Sequence, residues 1–270
     1  MTKKLDLDMV TLLCVETRDP LLGEWAIEKC TTLVNFGRVV LITNLAKVNT
    51  EKAGIDYIQS PHLRSIKEYS QFMMGNLSQY VSGTHVLVIQ WDSFITNPDL
   101  WDKQFFEYDY IGPIWPHHPE SPVGNGGFSL RSIRLLKALT SPLIKKGHPE
   151  DYYICAENKT LLEVTFGICF APIEIAEQFA VERSAWHRSF GFHGLFNFGK
   201  VMSHDELKRV IDGLPRYLLK GLDAYDLAND LLRKDDREVF KMLAKKITFT
   251  WKMRYRFITL KLQCLLNRVK

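Results

Sequence analysis

Four short groups of polar residues along this 270-residue chain combine residue types that can do chemistry together. In chain order they are Asp92, Asn125-Gly126-Gly127, Glu150-Asp151 and His193. Carboxylate oxygens and a neutral imidazole are ligands for a divalent cation. Glycines let the backbone approach a ligand closely, and a further carboxylate can accept a proton from a hydroxyl group. The order therefore predicts a cation-phosphate site with a general base beside it.

Each group also has a plainer interpretation. A single aspartate after a strand, such as Asp92, is often a helix cap or a turn residue, and a Gly-Gly pair is typical of a tight turn. Glu150 and Asp151 follow Pro149, where acids in a first helical turn suit the helix dipole without any catalytic role. His193 lies between aromatic residues, which is common for a packed histidine.

The elements that must position these residues alternate between strand and helix. Continuous apolar runs predict buried strands over 9–16, 38–43 and 85–90, with a short strand at 56–58. Helical spacing predicts helices over 20–35 and 65–81, with a break at 36–37. This order favours an α/β fold with a mostly parallel sheet flanked by helices. Ligands of such sheets bind beyond the carboxyl ends of the strands, where Asp92 stands.

The middle of the chain, residues 97–122, is rich in proline and aromatic residues. Such a rigid loop is either a platform for a sugar or a loop packed on its own rings. His117 and His118 are a weaker metal candidate, because adjacent side chains in an extended segment are expected to point apart. Beyond this loop we predict strands at 126–130 and 167–171 and helices at 132–139 and 152–161.

From residue 204 onward the pattern is helical, and Ser203 to Glu206 has the form of a helix cap. We place a boundary near Gly199. Residues 1–199 would form the catalytic domain, and residues 200–270 a C-terminal helical region that ends in a basic tail.

The composition is that of a globular protein, with 46% hydrophobic and 24% charged residues. Five cysteines without a C-x-x-C pair argue against a zinc ribbon or a disulfide framework and fit a reducing compartment. With no apolar run of about 18 residues and no apolar stretch near residue 1, we expect no membrane span and no signal peptide. The expected location is the cytoplasm.

The net charge of +4 is unevenly distributed: residues 245–270 carry eight basic residues and no acid, which leaves −4 on the rest. This is not the balance of a nucleic-acid-binding domain. Basic residues interleaved with Trp251 and Phe257 predict a helix that contacts an anionic membrane surface, such as the inner face of the cell membrane. The alternative is a helix docked on the catalytic body or on a second subunit.

Several segments together resemble a known class of enzymes. V-L-V-I-Q-W-D, E-Y-D-Y-I-G-P-I-W-P, V-G-N-G-G-F-S-L-R-S, P-E-D and S-F-G-F-H-G, within residues 9–197, resemble the GT-A (Rossmann-like) glycosyltransferases. Within that class they are similar to an uncharacterised bacterial family found near surface-polysaccharide genes. The resemblance implies inverting transfer of a sugar from a nucleotide-diphosphate donor, with a UDP-sugar favoured, to a hydroxyl of a lipid-linked glycan.

The resemblance also assigns roles. Asp92 matches the last acid of the D-x-D motif and would bind Mn²⁺ or Mg²⁺, with His193 completing the metal shell. Gln90 stands where that motif has its first acid, which removes one contact to ribose or metal. Asp151 matches the catalytic base, and Glu150 would help to bind the acceptor. The remaining predicted substrate contacts are Thr17, Arg18, Asn44, Gln90, Trp91, Asn125, Gly126 and Gly127.

Two other functions stay open. A nucleotidyltransferase would share the sheet and the metal-binding acids, but it favours a glycine- and lysine-rich loop after the first strand, where this chain has E-T-R-D-P. The other is a non-catalytic nucleotide- or carbohydrate-binding protein that kept the fold and lost the first metal acid.

Overall fold

The computed structural model describes residues 3–248 and 251–266, and the contacts divide the chain into two units, Met1–His193 and Gly194–Lys270. This division falls before the boundary predicted at Gly199. The strands among the described residues are β1 (Leu5–Val15), β2 (Val34–Thr43), β3 (Asp56–Gln59), β4 (His85–Ile89), β5 (Ser93–Ile95), β6 (Tyr110–Ile111), β7 (Phe128–Ser132), β8 (Ala180–Val181) and β9 (Gly191–His193).

A six-stranded sheet with the order β3-β2-β1-β4-β7-β6 forms the centre of the first unit. Strands β1 to β4 are parallel, whereas β7 runs antiparallel to β4 and to β6. The predicted α/β fold with a mostly parallel sheet is confirmed. The apolar run of β1 is buried from Val10 to Val15 because helices cover both faces of the sheet. A smaller sheet, β5-β9-β8, brings β9 beside the segment that follows β4.

Capping residues in the sequence mark where helices of the first unit begin. They are α1 (Pro20–Leu33), α2 (Ile66–Gly75), α3 (Ile133–Ala138), α4 (Glu150–Tyr152), α5 (Lys159–Phe166) and α6 (Ile173–Phe179) in the first unit. Asp19 caps α1 by accepting from the Leu21 N–H, with Pro20 in the first turn. Ser65 caps α2 by accepting from the Glu68 N–H, while the Glu68 side chain accepts from the Arg64 N–H.

The second unit is helical, as predicted for the end of the chain. It contains α7 (Phe198–Val201), α8 (His204–Gly213), α9 (Gly221–Arg233), α10 (Arg237–Lys246) and α11 (Trp251–Leu266). The predicted cap at Ser203 is confirmed, because its side chain accepts from the Glu206 N–H. Among the described residues, no helix combines the length and apolar character needed to cross a bilayer. The four cysteines whose side chains are described are free thiols.

Several predicted elements differ in the structure. The predicted strand at 167–171 is wrong: Gly167 ends α5 in the left-handed conformation, and a single bridge from Phe170 to Tyr110 remains. The predicted break at 36–37 is also wrong, because Gly37 lies within β2, so close to the Asp8 backbone that no Cβ fits. The helix predicted over 65–81 ends at Gly75, and a 3₁₀ turn follows.

Candidate functional site

A cavity of about 660 Å³ lies in the first unit, beside the segments that follow β1 and β4. Ten of the residues predicted for the site line it, although they come from segments far apart in the chain. They are Thr17, Arg18, Gln90, Trp91, Asn125, Gly126, Gly127, Glu150, Asp151 and His193. The volume is that of a small-molecule site.

Asp92 lies behind this lining and contacts His193. Asp92 follows β4 and is only 8% exposed, and its Oδ1 lies 3.5 Å from His193 Nε2. The contact exists because β9 pairs with β5, which places His193 directly opposite Ser93. Two residues about a hundred positions apart therefore meet at the end of a central strand.

The imidazole of His193 is oriented from both sides. Its Nδ1 lies 3.1 Å from Glu182 Oε1, and its Nε2 lies 3.3 Å from Gln90 Oε1. Burial would lower the pKa of His193, but the carboxylates of Asp92 and Glu182 outweigh it and hold the pKa well above its usual value. A protonated ring can donate to the oxygens on both sides.

The glycine pair fits closely against this cluster. A Cβ at Gly127 would collide with the His193 ring, and a Cβ at Gly126 would collide with Glu150 and with Arg131. Gly127 is tied to the end of β4, since its carbonyl accepts from the Gln90 N–H at 3.0 Å and from the Ser93 hydroxyl at 2.6 Å. The absence of side chains here is therefore what lets the His193 ring pack against Gly127 and the Glu150 carboxylate pack against Gly126.

Asp151 is held by backbone donors at the start of α4. Its Oδ2 accepts from the Gly126 N–H at 3.1 Å, and its Oδ1 accepts from the Tyr152 N–H at 2.9 Å. These bonds fix the carboxylate on the cavity wall, half-buried, while further lone pairs of both oxygens remain available. A carboxylate so placed can accept a proton from a bound hydroxyl group.

Glu150 differs from its neighbour because it points into the protein. It is 6% exposed, and its Oε1 lies 3.6 Å from the guanidinium of Arg131, which is fully buried. Burial, with the nearby charge of Asp151, raises the pKa of Glu150, and Arg131 offsets part of this effect. The Ser70 hydroxyl donates to Glu150 Oε2 at 3.4 Å and also contacts His148 Nδ1 at 2.9 Å.

Arg131 and Glu182 are functional candidates that sequence reasoning missed. Arg131 donates to Ser129 Oγ at 2.9 Å and to the Gly126 carbonyl at 3.4 Å, so it braces the residue whose N–H holds Asp151. Its position within the buried strand β7, in F-S-L-R-S, was the available signal, because a buried strand seldom carries an arginine without a buried partner. Glu182 directly follows β8, and nothing local links it to His193.

At the end of β1, Arg18 is fixed by Glu16, with its Nη2 2.7 Å from Glu16 Oε2. Arg18 and Thr17 line the cavity, but Asn44 does not. The Asn44 side chain instead accepts from the Ala46 N–H and caps a short 3₁₀ turn. Asn44 is therefore placed as a structural cap outside the cavity lining.

The His117-His118 expectation also needs correction, since the two rings lie together with centroids 4.6 Å apart. The loop turns at this point instead of running extended: the His118 N–H bonds the Trp115 carbonyl at 3.0 Å. Among the described residues, no three side chains of histidine, cysteine, aspartate or glutamate are arranged to hold a metal ion.

The donors that face one another at Asp92 nevertheless suit a cation that a substrate also helps to bind. Asp92 Oδ1 and the Gln90 amide oxygen lie 3.5 Å and 3.3 Å from His193 Nε2. With Glu182 at Nδ1, the ring has the second partner that metal-binding histidines usually carry. Such a donor set fits Mn²⁺ or Mg²⁺ completed by phosphate oxygens and water.

The chain is similar to several solved structures, and no curated protein sequence matches it. The bifunctional IspDF from Campylobacter jejuni has 12% identity and a TM-score of 0.38, over 55% of this chain and 47% of its own. The chain thus spans about half of that protein. A glycosyltransferase involved in glycosylation of the major capsid of PBCV-1 has 13% identity and a TM-score of 0.40, over 68% of this chain and 91% of its own.

The mannosyltransferase PcManGT from Pyrobaculum calidifontis, in complex with GDP-Man and Mn²⁺, has 11% identity and a TM-score of 0.39, over 91% of this chain and 74% of its own. Likenesses of this degree carry no argument about activity. The family model described as "Protein of unknown function (DUF5672)" matches residues 52–193, which is just over half of the chain. The chain therefore belongs to the DUF5672 family.

Proposed function

We propose that this protein is a glycosyltransferase that moves a sugar from a nucleotide-diphosphate donor to a hydroxyl group of a glycan, with inversion at the sugar carbon. One observation carries the proposal: His193, which contacts Asp92, and the backbone-anchored carboxylate of Asp151 border the same cavity, next to Gly126 and Gly127. Transfer of a sugar from a phosphate leaving group needs a cation site and a proton acceptor. The two would lie on either side of the glycine pair.

The nucleotide-diphosphate donor suits the cavity of about 660 Å³ because its lining combines positive charge with apolar surface. Arg18 and Arg64 both line it, and guanidinium groups bind phosphate oxygens well. Leu63, Ile66 and Tyr69 add apolar surface that suits a nucleobase and ribose. In this proposal the diphosphate lies between the arginines and the pair formed by Asp92 and His193.

Asp92 and His193 would hold the divalent cation, with the Gln90 amide oxygen within reach. When bound, such a cation supplies Lewis-acid stabilisation of the negative charge that develops on the diphosphate. Glu182 keeps the imidazole of His193 turned toward Asp92 through its bond to Nδ1. Gln90 thus occupies the position of the missing acid with a neutral oxygen donor.

The transfer step then uses Asp151. The acceptor oxygen attacks the anomeric carbon and forms the new glycosidic bond, while its proton passes to the Asp151 carboxylate. The bond between that carbon and the phosphate oxygen breaks on the opposite side, and the nucleoside diphosphate leaves with the electron pair. The Gly126 and Tyr152 N–H groups hold Asp151 still during the step, which avoids reorganisation.

Substitution of Asp151 tests this proposal. Asp151→Asn keeps an oxygen that can accept from the Gly126 N–H but removes the base. With UDP-sugars and Mn²⁺, we expect release of nucleoside diphosphate by the wild type and a loss of turnover on the order of 10²–10⁴-fold in the variant. Asp205→Asn, an exposed aspartate in the first turn of α8, is the matched control.

Near-normal turnover by Asp151→Asn would remove Asp151 from the mechanism. If the wild type binds UDP-sugars but never releases nucleoside diphosphate, the non-catalytic alternative replaces the enzyme. Circular dichroism spectra that match the wild type show that the loss of turnover does not come from unfolding.

We further propose that α11 attaches the protein to an anionic membrane surface. Phe257 and Leu260 are buried in the second unit, whereas Tyr255, Ile258 and Leu262 are 80%, 55% and 52% exposed. These three residues are spaced to share one face of the helix, and Arg254 and Arg256 are exposed beside them. The sequence of α11 contains no acid, so the helix combines an exposed apolar face with cations of its own.

Liposome sedimentation with phosphatidylserine-containing vesicles tests this attachment. We expect the triple substitution Tyr255→Ser, Ile258→Ser and Leu262→Ser to abolish pelleting, because it removes the exposed apolar face and keeps every cation. The matched control substitutes three exposed apolar residues of the first unit by serine: Leu21, Leu143 and Val164. Equal pelleting of the two triple variants would reject the attachment.

A further inference from the structure

A second cavity, of about 400 Å³, lies in the first unit next to the larger one. Asn125, Pro149 and Asp151 line both cavities, so the Asp151 carboxylate borders two separate spaces. The volume lies within the range of small-molecule sites. A transfer that uses Asp151 as a base needs space for a second substrate at that carboxylate, and this cavity supplies it.

Aromatic rings form one wall of the second cavity. The ring centroids of Trp115 and His118 are 5.2 Å apart, and those of His118 and Tyr152 are 5.9 Å apart. Trp115 is buried and packs against Gly124 so closely that a Cβ there would collide with the indole ring. Tyr152, at the rim and next to Asp151 in sequence, is 37% exposed. The inner ring of this wall, Trp115, is therefore held in place, and its outer ring, Tyr152, is accessible to a ligand.

Polar residues complete the lining. Glu182 and Arg183 border the same space, so a carboxylate and a guanidinium face a wall of rings. A pyranose has an apolar C–H face that packs on an aromatic ring, and hydroxyl groups at its edge that bond to charged side chains.

We infer that this second cavity binds the accepting pyranose of the glycan, with its apolar face on Tyr152 and His118 and one hydroxyl group at Asp151. The inference rests on the proposed function, because it gives the acceptor of that reaction a place. It also explains why Asp151 lies on the wall between the two cavities. A nucleobase would stack on the same rings, so the experiment must separate a sugar from a nucleobase.

Saturation-transfer difference NMR on the full chain tests the inference. The probes are the methyl pyranosides of glucose, galactose, mannose and N-acetylglucosamine, each with UDP and Mn²⁺ present. We expect saturation transfer to at least one pyranoside in the wild type and roughly tenfold weaker binding in Tyr152→Ala. Tyr152→Phe keeps the ring and should retain binding, as should Tyr217→Ala, which removes a tyrosine of similar exposure in the second unit.

Three results would overturn the inference: no saturation of any pyranoside in the wild type, equal saturation in Tyr152→Ala, or loss of the uracil signals in place of the pyranoside signals in that variant. The UDP signals of the wild type report separately on the larger cavity. Absence of these signals would contradict a uridine nucleotide as the donor in the larger cavity, whereas UDP binding without pyranoside binding would contradict only the acceptor site.

Discussion

Replacing Gly127 with alanine adds one methyl group at the point where the glycine pair meets the imidazole of His193. The new Cβ would lie 2.7 Å from His193 Cε1 and closer still to two other ring atoms, whereas ordinary contact begins at 3.4 Å. The ring must therefore withdraw by at least the difference, 0.7 Å. It cannot do so freely, because Glu182 and Gln90 hold its two nitrogens at 3.1 Å and 3.3 Å.

The expected effect falls mainly on function. A displacement of about 1 Å of a reacting or metal-binding group costs on the order of 10²-fold in turnover, and we expect a loss of this size in Mn²⁺-stimulated release of nucleoside diphosphate. Strain from overpacking costs about 1–3 kcal/mol, so the free energy of unfolding should fall modestly and the fold should persist. Mn²⁺ affinity, measured by calorimetry without donor, should weaken in parallel because His193 is displaced.

Gly213→Ala is the matched control, since no atom lies within 4 Å of a Cβ at that position. It should leave turnover and Mn²⁺ affinity unchanged. The reasoning is refuted if Gly127→Ala binds Mn²⁺ with wild-type affinity and turns over within about threefold of the wild type, a difference well below that expected for a displaced ligand.

Two further predictions concern buried charges. Arg131→Met leaves Glu150 buried without its cation, and we expect a loss of about 3 kcal/mol in the free energy of unfolding, measured with urea; an unchanged midpoint would contradict the role of the pair. Burial alone would raise the pKa of Asp109, but bonds from Arg134, Ser132 and the Cys169 N–H lower it below its ordinary 3.8. Its contribution to stability is therefore complete above that value and is lost as the pH falls through the lowered pKa. Asp109→Asn should flatten the loss of stability in acid, and an unaltered pH profile would contradict this account.

The sequence was sufficient for the parts of the site that follow strand ends. Asp92 could be placed because a buried parallel strand delivers its next residues to the ligand-binding edge of a sheet. The Gly126-Gly127 pair and Asp151 could be placed near it only through the resemblance to known enzymes. Their contact, through the Gly126 N–H and Asp151 Oδ2, depends on where α4 packs, and no local pattern encodes that position.

Contacts between residues of different elements could not be predicted from strand ends alone. Glu182 reaches His193 because β8 and β9 are neighbours in a small sheet, yet β8 has only two residues and leaves no periodic signal. Asn44, in contrast, was predicted as a substrate contact because of its position after a strand. It follows a parallel strand as Asp92 does, but its side chain is used as a cap. Position at a strand end therefore identifies candidates, and the packing of the next element decides between ligand contact and structural use.

Calorimetric titration of the wild type with UDP and with GDP, with Mn²⁺ and with EDTA, tests the central claim most directly. If Asp92 and His193 hold a cation that bridges to the diphosphate, one of these nucleotides should bind in Mn²⁺ and bind far more weakly in EDTA. Asp92→Asn should then remove most of that difference. Equal binding in Mn²⁺ and EDTA, or no binding of either nucleotide by the wild type in Mn²⁺, would contradict the account.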